Sequence, residues 1–268
     1  MKSPESKCWA RAASECGGKL SREHPFARGT FREGTVDFIN IAGSNSGRRR
    51  LSIDAVTVKC LCEHHNNALS KVDQAGIDVV NCIRRGEELL EVRRARPRRW
   101  RWHELKVDGF GFERWVLKTA INLAHIRREE TWGWSPPENL VRAVFGQKPL
   151  PSGAGLAAFG VAGHQLHFGD RMAFWFLLDR ARREVGGAVL IVHGWPFVIT
   201  WQRPVQEMFP LEHEGTVFER SSCVYHVKKL QHGDVKLRLR LDWSGKWRER
   251  DHRRVVALRG RYAPPPRR

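Results

Sequence analysis

The sequence is organised around two segments rich in cysteine and histidine. The first reads Cys8-Trp-Ala-Arg-Ala-Ala-Ser-Glu-Cys16-Gly-Gly-Lys-Leu-Ser-Arg-Glu23-His24-Pro25, and the second reads Lys59-Cys60-Leu-Cys62-Glu-His64-His65-Asn66-Asn67-Ala-Leu-Ser70. Thiolates and imidazoles are the usual ligands of zinc, whereas an amide oxygen such as that of Asn66 suits a harder cation. The two segments therefore predict two metal sites with different functions.

Four of the soft ligands fit a structural zinc site. Such a site needs four sulfur or nitrogen ligands in a tetrahedral arrangement, commonly supplied as two closely spaced pairs. Cys62 and His65 have the spacing of one pair. Cys8 and Cys16 are predicted to supply the other pair, although seven residues lie between them.

Two neighbouring residues compete for the same site. Cys60 lies two positions before Cys62 and ranks below it, and His64 replaces His65 only if the chain turns more tightly. The Gly17-Gly18 pair in the first segment lets the backbone fold closely around an ion, as in a zinc knuckle.

The composition predicts a polyanionic partner. Lys and Arg number 47 against 29 Asp and Glu, which gives a formal net charge of +18. A chain this basic attracts nucleic acid before any specific contact forms. We therefore expect nucleic acid as the partner, DNA in preference to RNA, while nothing in the sequence indicates an oligomeric state.

Membrane and secretory signals are not found in the sequence. No apolar run is long enough to span a bilayer, and residues 1–6 lack the apolar core of a signal peptide. We therefore expect an intracellular, cytoplasmic protein with no membrane partner. Cysteines stay reduced in that compartment, so the six cysteines indicate metal ligands in preference to disulfides.

Hydrophobic periodicity predicts both helices and strands. A short strand begins at residues 19–21 and leads to Glu23 and His24. Residues 25–59 are loop-like apart from a strand at 55–58, and a helix begins near Glu63. Apolar spacing predicts helices at 110 to about 128 and at 138–144. Further strands are predicted at 156–159, 172–178, 188–193, 197–201 and 235–241, so the fold class is α+β.

An acidic-His dipeptide and an Asn directly after the last proposed zinc ligand occur in order along the two segments. The text Cys16-Gly-Gly-Lys-Leu-Ser-Arg-Glu-His24-Pro, followed by Leu61-Cys-Glu-His-His-Asn66-Asn-Ala-Leu-Ser, resembles the HNH endonuclease family over about residues 8–73. That family is of the ββα-metal class and contains an embedded treble-clef zinc knuckle. The resemblance implies a metal-dependent endonuclease that hydrolyses phosphodiester bonds of nucleic acid.

The resemblance also implies a function for individual residues. His24 would be the general base that deprotonates the attacking water. Glu23 and Asn66 would hold a catalytic Mg²⁺ or Mn²⁺, and the ion at the cysteine-rich site would be a structural zinc.

The sequence departs from the family pattern at several positions. The partner of Cys16 lies eight positions upstream, where the family commonly has a C-x-x-C pair, and His65 stands where a cysteine is usual. The loop asparagine that supports the base is either Asn40 or Asn45.

Arginines in two segments are expected to contact the phosphate backbone, because guanidinium groups pair with phosphate. One group lies between the cysteine segments, and the other lies in a stretch where tryptophans offer stacking faces. A solvated hinge is the alternative for the second stretch. The residues are Arg48, Arg49, Arg50, Arg98 and Arg99.

We predict four parts along the chain. Residues 1–85 form an HNH-like, zinc-containing nuclease module, and 86–104 form a basic linker rich in Arg and Trp. Residues 105–262 form a mixed helix plus antiparallel β domain with no assigned function, and 263–268 form a disordered tail.

Two alternatives belong to other functional classes. In the first alternative, the chain is a non-catalytic treble-clef zinc finger that binds nucleic acid, with Glu23 and His24 structural. In the second, it is a structural zinc module that scaffolds an effector domain at 105–268. The first alternative leaves the acidic-His dipeptide and the following Asn66 unexplained. The second predicts no affinity for nucleic acid, which the net charge disfavours.

Overall fold

The computed structural model describes residues 7–31, 34–38, 49–95, 102–159, 172–192, 195–202, 217–218, 223–230, 233–246 and 256–258. The helices are α1 Glu63–Ala68, α2 Ser70–Ala95, α3 Gly109–Ile126 and α4 Glu138–Val144. The strands are β1 Leu20–Glu23, β2 Thr35–Phe38, β3 Arg49–Ser52, β4 Val58–Cys62, β5 Trp102–Asp108, β6 Gly155–Phe159, β7 Met172–Asp179, β8 Glu184–Val192, β9 Trp195–Thr200, β10 Val217–Phe218, β11 Cys223–Leu230, β12 Gly233–Asp242 and β13 Val256–Leu258. The prediction of a mixed helix and strand fold is confirmed.

The N-terminal part contains a pair of antiparallel strands followed directly by a helix. β1 pairs with β4, with Leu20 opposite Cys62 and Glu23 opposite Val58, and α1 begins at the next residue after β4. The short strand predicted to lead into Glu23 and His24 is confirmed, and it ends at Glu23. The strand predicted at 55–58 begins only at Val58, because residues 53–55 form a 3-10 turn in which the Ser52 hydroxyl accepts a hydrogen bond from the Asp54 backbone.

Residues 25–59, which were expected to be mostly loop, contain a short antiparallel hairpin. β2 and β3 pair with Thr35 opposite Ser52 and Phe38 opposite Arg49. Four-residue strands are too short to show a clear alternation in the sequence, which explains why this hairpin was not predicted.

Regular structure also replaces most of the expected basic linker. Residues 86–95 continue α2, and β5 begins at Trp102. Glu, Leu and Arg are strong helix formers, and this preference extends the helix up to the neighbourhood of Pro97. The division into two domains stays a prediction, although a single buried cluster contains residues from both sides of the proposed linker.

The helix α3 lies at the centre of that cluster and is buried along nearly its whole length. It packs against α2, where Gly76 faces the indole of Trp115. Phe112 makes an edge contact with Phe197 of β9, with ring centroids 4.9 Å apart. The predicted helix at 110 to about 128 is therefore confirmed, as is the short helix α4.

Two larger sheets form the C-terminal part. One has the strand order β10-β6-β9-β8-β7 and is antiparallel throughout, and the other has the order β11-β12-β5-β13. In the second sheet β12 pairs in parallel with β5, so among the strands that the structure describes the expected antiparallel arrangement holds for every pair but this one. On β12, Leu239 and Leu241 are buried and Arg240 is exposed, as the alternating pattern predicts. Across the described residues, no helix combines the length and the apolar character needed to cross a membrane.

The contact between α2 and α3 leads to a stability prediction for Gly76→Ala. An added Cβ would lie 2.3–2.4 Å from the Trp115 ring, which is fully buried and cannot move aside freely. We expect a loss of about 1–3 kcal/mol in the free energy of unfolding from this overpacking. The sign is opposite to the gain of roughly 1 kcal/mol that Ala normally brings to a helix.

Urea unfolding measures this difference directly. The exposed Lys71→Ala in the same helix is the control and should change stability by less than about 0.5 kcal/mol. A Gly76→Ala protein as stable as the parent would contradict the tight α2–α3 packing.

Candidate metal centre and adjacent polar site

The four predicted zinc ligands come together in the folded chain. One ligand atom from each of Cys8, Cys16, Cys62 and His65 lies within 4.8 Å of every other. A tetrahedral ion with metal–ligand distances of about 2.0–2.3 Å places its ligand atoms roughly 3.5–3.8 Å apart. The cluster is therefore close enough to hold one metal ion.

The imidazole of His65 is oriented by a hydroxyl group. Its Nδ1 atom faces the three sulfurs, at 3.1 Å from Cys62 Sγ, 3.4 Å from Cys8 Sγ and 3.8 Å from Cys16 Sγ. Its Nε2 atom lies 2.9 Å from Ser14 Oγ. Metal-binding histidines commonly make a hydrogen bond through the other ring nitrogen, which fixes the ring orientation and the tautomer. Ser14 therefore supports Nδ1 as the ligand atom.

Local backbone structure positions each sulfur. Cys62 ends β4 and caps α1, so His65 lies one helical turn further along. Cys8 directly precedes a 3-10 helix at Trp9–Ala12, which brings the chain back within reach of the cluster. Gly18 has φ +74°, and a Cβ there would lie 2.5 Å from Glu63 Oε2, so the turn after Cys16 requires glycine.

Electrostatics within the cluster fit a bound cation. Burial raises the pKa of Cys16 to about 12, with a further contribution from the neighbouring Cys8. Burial also lowers the pKa of His65 and so favours the neutral imidazole that metals bind. For Cys62, burial acts to raise the pKa, but the backbone of His65 and Gly17 and the thiols of Cys8 and Cys16 together lower it. A dication among the thiols would relieve the repulsion between their thiolate forms.

The competing ligands Cys60 and His64 lie outside the cluster. Residues two apart in a strand share a face, yet the Cys60 thiol donates to Asn122 Oδ1 of α3 at 3.2 Å. Trp9 Nε1 donates to the same oxygen at 3.0 Å. His64 is exposed, whereas His65 is fully buried. The cysteines of this region are free thiols.

The residues of the predicted catalytic site lie immediately beside the metal cluster. Glu23 is the last residue of β1 and is buried. Burial raises the pKa of its carboxyl group, and the side chain of Asn66 is close enough to act in the opposite direction. Asn66 lies on α1 directly after the ligand His65. The antiparallel strand pair and the following helix therefore bring Glu23 and Asn66 together, as the sequence predicts.

His24 follows Glu23 and is half-buried. Its Nδ1 atom is inaccessible to solvent and has no hydrogen-bond partner among the described residues. The ring interacts electrostatically with Asp73 of α2. Asn40 and Asn45, the two candidates for a supporting asparagine, lie outside the described residues.

Two charged residues that sequence analysis missed complete this site. The ammonium of Lys118 on α3 has no exposed surface and contacts both Glu23 Oε1 and Asp73. Its Nζ atom lies 2.6 Å from each carboxylate oxygen of Asp73. Lys118 thus joins the last residue of β1 to the first turn of α2 through a double ion pair.

The two carboxylates experience opposing influences. Burial raises the pKa of Glu23 and of Asp73 above their usual values, while the nearby Lys118 ammonium counteracts this in both. With both carboxylates ionised, the group of three charges has a net charge of −1. A site of this composition favours an additional positive charge.

Signals for both missed residues are present in the sequence. Asp73 lies seven positions after Asn66, a spacing of about two turns in the helix predicted from Glu63 onward, although the chain divides there into α1 and α2. Lys118 is the one charged residue in the stretch 115–124, which is otherwise apolar or uncharged. A lone charge inside a buried helix needs a partner of opposite sign.

The proposed phosphate-binding arginines are only partly described. Arg49 and Arg50 lie on β3, where Arg50 is opposite Asp37. Arg48, Arg98 and Arg99 lie outside the described residues. Their contact with nucleic acid stays a prediction.

Comparison of the chain with protein-family models, with curated proteins and with solved structures finds no match.

The geometry of the cluster predicts which substitutions remove the metal. Cys62→Ser and Cys8→Ser each take away one of four ligands and should leave less than half of the wild-type metal content after dialysis, measured by elemental analysis. Metal-stabilised small modules depend on the ion for folding, so these variants should also unfold at lower temperature.

Cys60→Ser and His64→Ala are the matched controls. Both residues are neighbours of the ligands in sequence, but neither faces the cluster. They should retain the wild-type metal content. Loss of the metal from Cys60→Ser with retention in Cys8→Ser would contradict the ligand assignment.

Proposed function

We propose that this protein is a metal-dependent endonuclease of the HNH type, acting on phosphodiester bonds of nucleic acid, with DNA as the preferred substrate. The observation that carries the proposal is the juxtaposition of Glu23, His24 and Asn66 on an antiparallel strand pair and the following helix, next to the Cys₃His cluster. The resemblance in sequence and this arrangement support the same assignment of functions to Glu23, His24 and Asn66.

His24 is the general base of the proposed reaction. An imidazole accepts a proton near neutral pH, and the half-buried position of His24 leaves it within reach of a water molecule. The residue would accept the proton of the attacking water as that water approaches phosphorus.

Glu23 and Asn66 are the residues that would hold the catalytic Mg²⁺ or Mn²⁺. A carboxylate and an amide supply the oxygen donors that hard cations require, so the residues fit this group. When bound, such an ion neutralises negative charge on the scissile phosphate and on the leaving oxygen. The chain itself contributes the rigid spacing of β1 and α1, which keeps the two oxygen donors adjacent.

The ion at Cys8, Cys16, Cys62 and His65 is proposed to be a structural zinc. Three thiolates and one imidazole are a donor set that zinc favours, and four protein ligands leave no open coordination position for a substrate. The ion would fix the N-terminal segment against β4 and α1. It would thereby hold Asn66 in position for the neighbouring site.

Binding to nucleic acid would draw on the net charge of +18. Phosphate neutralisation by Lys and Arg gives an affinity that falls steeply with salt. Arg49 and Arg50, on a strand between the two cysteine segments, are proposed to contribute to it.

One observation favours a second candidate function, a non-catalytic treble-clef protein that binds nucleic acid. Lys118 already pairs with Glu23, which is the pairing expected if Glu23 is only structural. This alternative explains the ion pair, but it does not account for the adjacent Asn66 and His24.

The cleavage assay separates these two functions. Zinc-loaded protein incubated with supercoiled plasmid and Mg²⁺ or Mn²⁺ should nick or linearise the DNA, and His24→Ala should reduce the rate about 100-fold or more because the general base is lost. Gel-shift affinity for the same DNA should remain within about twofold, since a single neutral side chain contributes little to phosphate binding.

The exposed His64→Ala is the matched histidine control and should cut at the wild-type rate. Cleavage by His24→Ala at the wild-type rate would refute the assignment of the base. Binding without cleavage by the wild-type protein would favour the non-catalytic alternative.

A further inference from the structure

The position of Lys118 shows where this site holds a positive charge. The ammonium has three protons and three close acceptor atoms, which are both oxygens of Asp73 and one oxygen of Glu23. Its side chain has no exposed surface, so no water molecule from bulk solvent shares these contacts. A fully buried cation held by two carboxylates therefore occupies the kind of position that a bound metal ion would take.

The same oxygens are those that a divalent ion would use. Glu23 is the acidic residue of the proposed metal site. Asp73, on α2, lies near Glu23 because both carboxylates contact the Lys118 ammonium. The Asp73 side chain is 24% exposed, which gives an ion a route from solvent that the buried Glu23 does not offer. Mg²⁺ is commonly bound through one or two carboxylates and retains several waters.

Both cations cannot occupy these oxygens together. A dication bound to Glu23 and Asp73 would lie within a few ångströms of the ammonium, and in a buried site that repulsion is only weakly screened. With both carboxylates ionised, the three groups have a net charge of −1 that attracts a further cation, and the ammonium would have to leave the oxygens that it contacts before an ion could use them.

We propose that Asp73 is an additional oxygen ligand of the divalent ion and that Lys118 is an internal cation that competes with this ion for Glu23 and Asp73. The inference rests on the proposed function, because that function supplies the ion. Lys118 holds the two carboxylates together when no ion is bound. An ion held by Glu23 and Asp73 would take the place of the ammonium, so the affinity for the ion would be set partly by the strength of this internal ion pair.

Binding of Mn²⁺ alone to the full-length, zinc-loaded protein tests the competition without any cleavage assay. Free Mn²⁺ is followed by electron paramagnetic resonance, and the zinc content is measured before and after titration. Lys118→Met keeps the length of the side chain and removes its charge, so Mn²⁺ should bind at least about tenfold more tightly than to the wild type. Lys118→Arg keeps the competing charge and should bind Mn²⁺ no more tightly than the wild type.

Lys71→Met is the control for net charge. This residue is exposed on α2, so its loss changes the overall charge by the same amount without changing the site. Mn²⁺ affinity should then stay within about twofold of the wild type, because solvent screens exposed charges. An equal gain in Lys71→Met and Lys118→Met, or no gain in Lys118→Met, would overturn the competition.

Asp73→Asn tests the additional ligand. Placed in the Lys118→Met background, it should weaken Mn²⁺ binding about tenfold or more, and unchanged affinity would overturn the assignment of Asp73. If Lys118→Met does not fold even with Mn²⁺, Asp73→Asn in the otherwise wild-type chain decides the question. There the loss of a ligand should weaken Mn²⁺ binding, and unchanged binding would again overturn the inference.

Failure of this inference is distinguishable from failure of the proposed function. If the Mn²⁺ affinities are as expected but the protein cuts no nucleic acid, the competition between Lys118 and the ion stands and the endonuclease proposal fails. If the protein cuts DNA in a reaction that needs His24, but substitution of Lys118 or Asp73 leaves the Mn²⁺ affinity unchanged, the endonuclease proposal stands and the competition fails.

Discussion

The buried ion pair between Lys118 and the carboxylates of Glu23 and Asp73 is the interaction on which the rest of the structure depends. It joins the end of β1, the start of α2 and the middle of α3, so three separate elements must meet at one point. Breaking one member of such a group leaves an uncompensated charge in the interior, which typically costs about 3–5 kcal/mol. The pairing therefore restricts how α3 can lie against the N-terminal strands, and the apolar contacts around Trp115 and Gly76 fill the space that remains.

The metal cluster imposes a second restriction on the same strands and helix. Cys62 and His65 fix the junction between β4 and α1, and Asn66 is the next residue of that helix. The geometry of the polar site therefore depends on two sets of contacts, because the metal cluster positions Asn66 and the ion pair positions Glu23. Asn122, one turn after Lys118 on α3, accepts hydrogen bonds from Cys60 and Trp9 and links the two restrictions through the core.

Sequence analysis was most successful where a function depends on local spacing and least successful where it depends on distant segments. Cys8 lies eight positions before Cys16, yet its sulfur lies in the cluster, since the intervening 3-10 helix shortens the chain between them. Lys118 could not be predicted as a partner of Glu23 because 94 intervening residues separate them, and no local pattern specifies such a contact. The parallel pairing of β5 with β12 was missed for the same reason. The hairpin of β2 and β3 was missed because its strands are short.

The buried ion pair also bears on whether Glu23 acts in catalysis or only in folding. Two charges of one sign with a single counter-charge are an inefficient way to stabilise a core, because apolar side chains of similar volume would avoid the desolvation cost. A purely structural Glu23 would need one cation and one carboxylate, whereas this site contains a second carboxylate that is partly open to solvent. The excess negative charge has a physical explanation if the site exchanges its internal ammonium for an external cation. The ion pair that favours a structural Glu23 when considered alone therefore supports a cation-binding site once Asp73 is included.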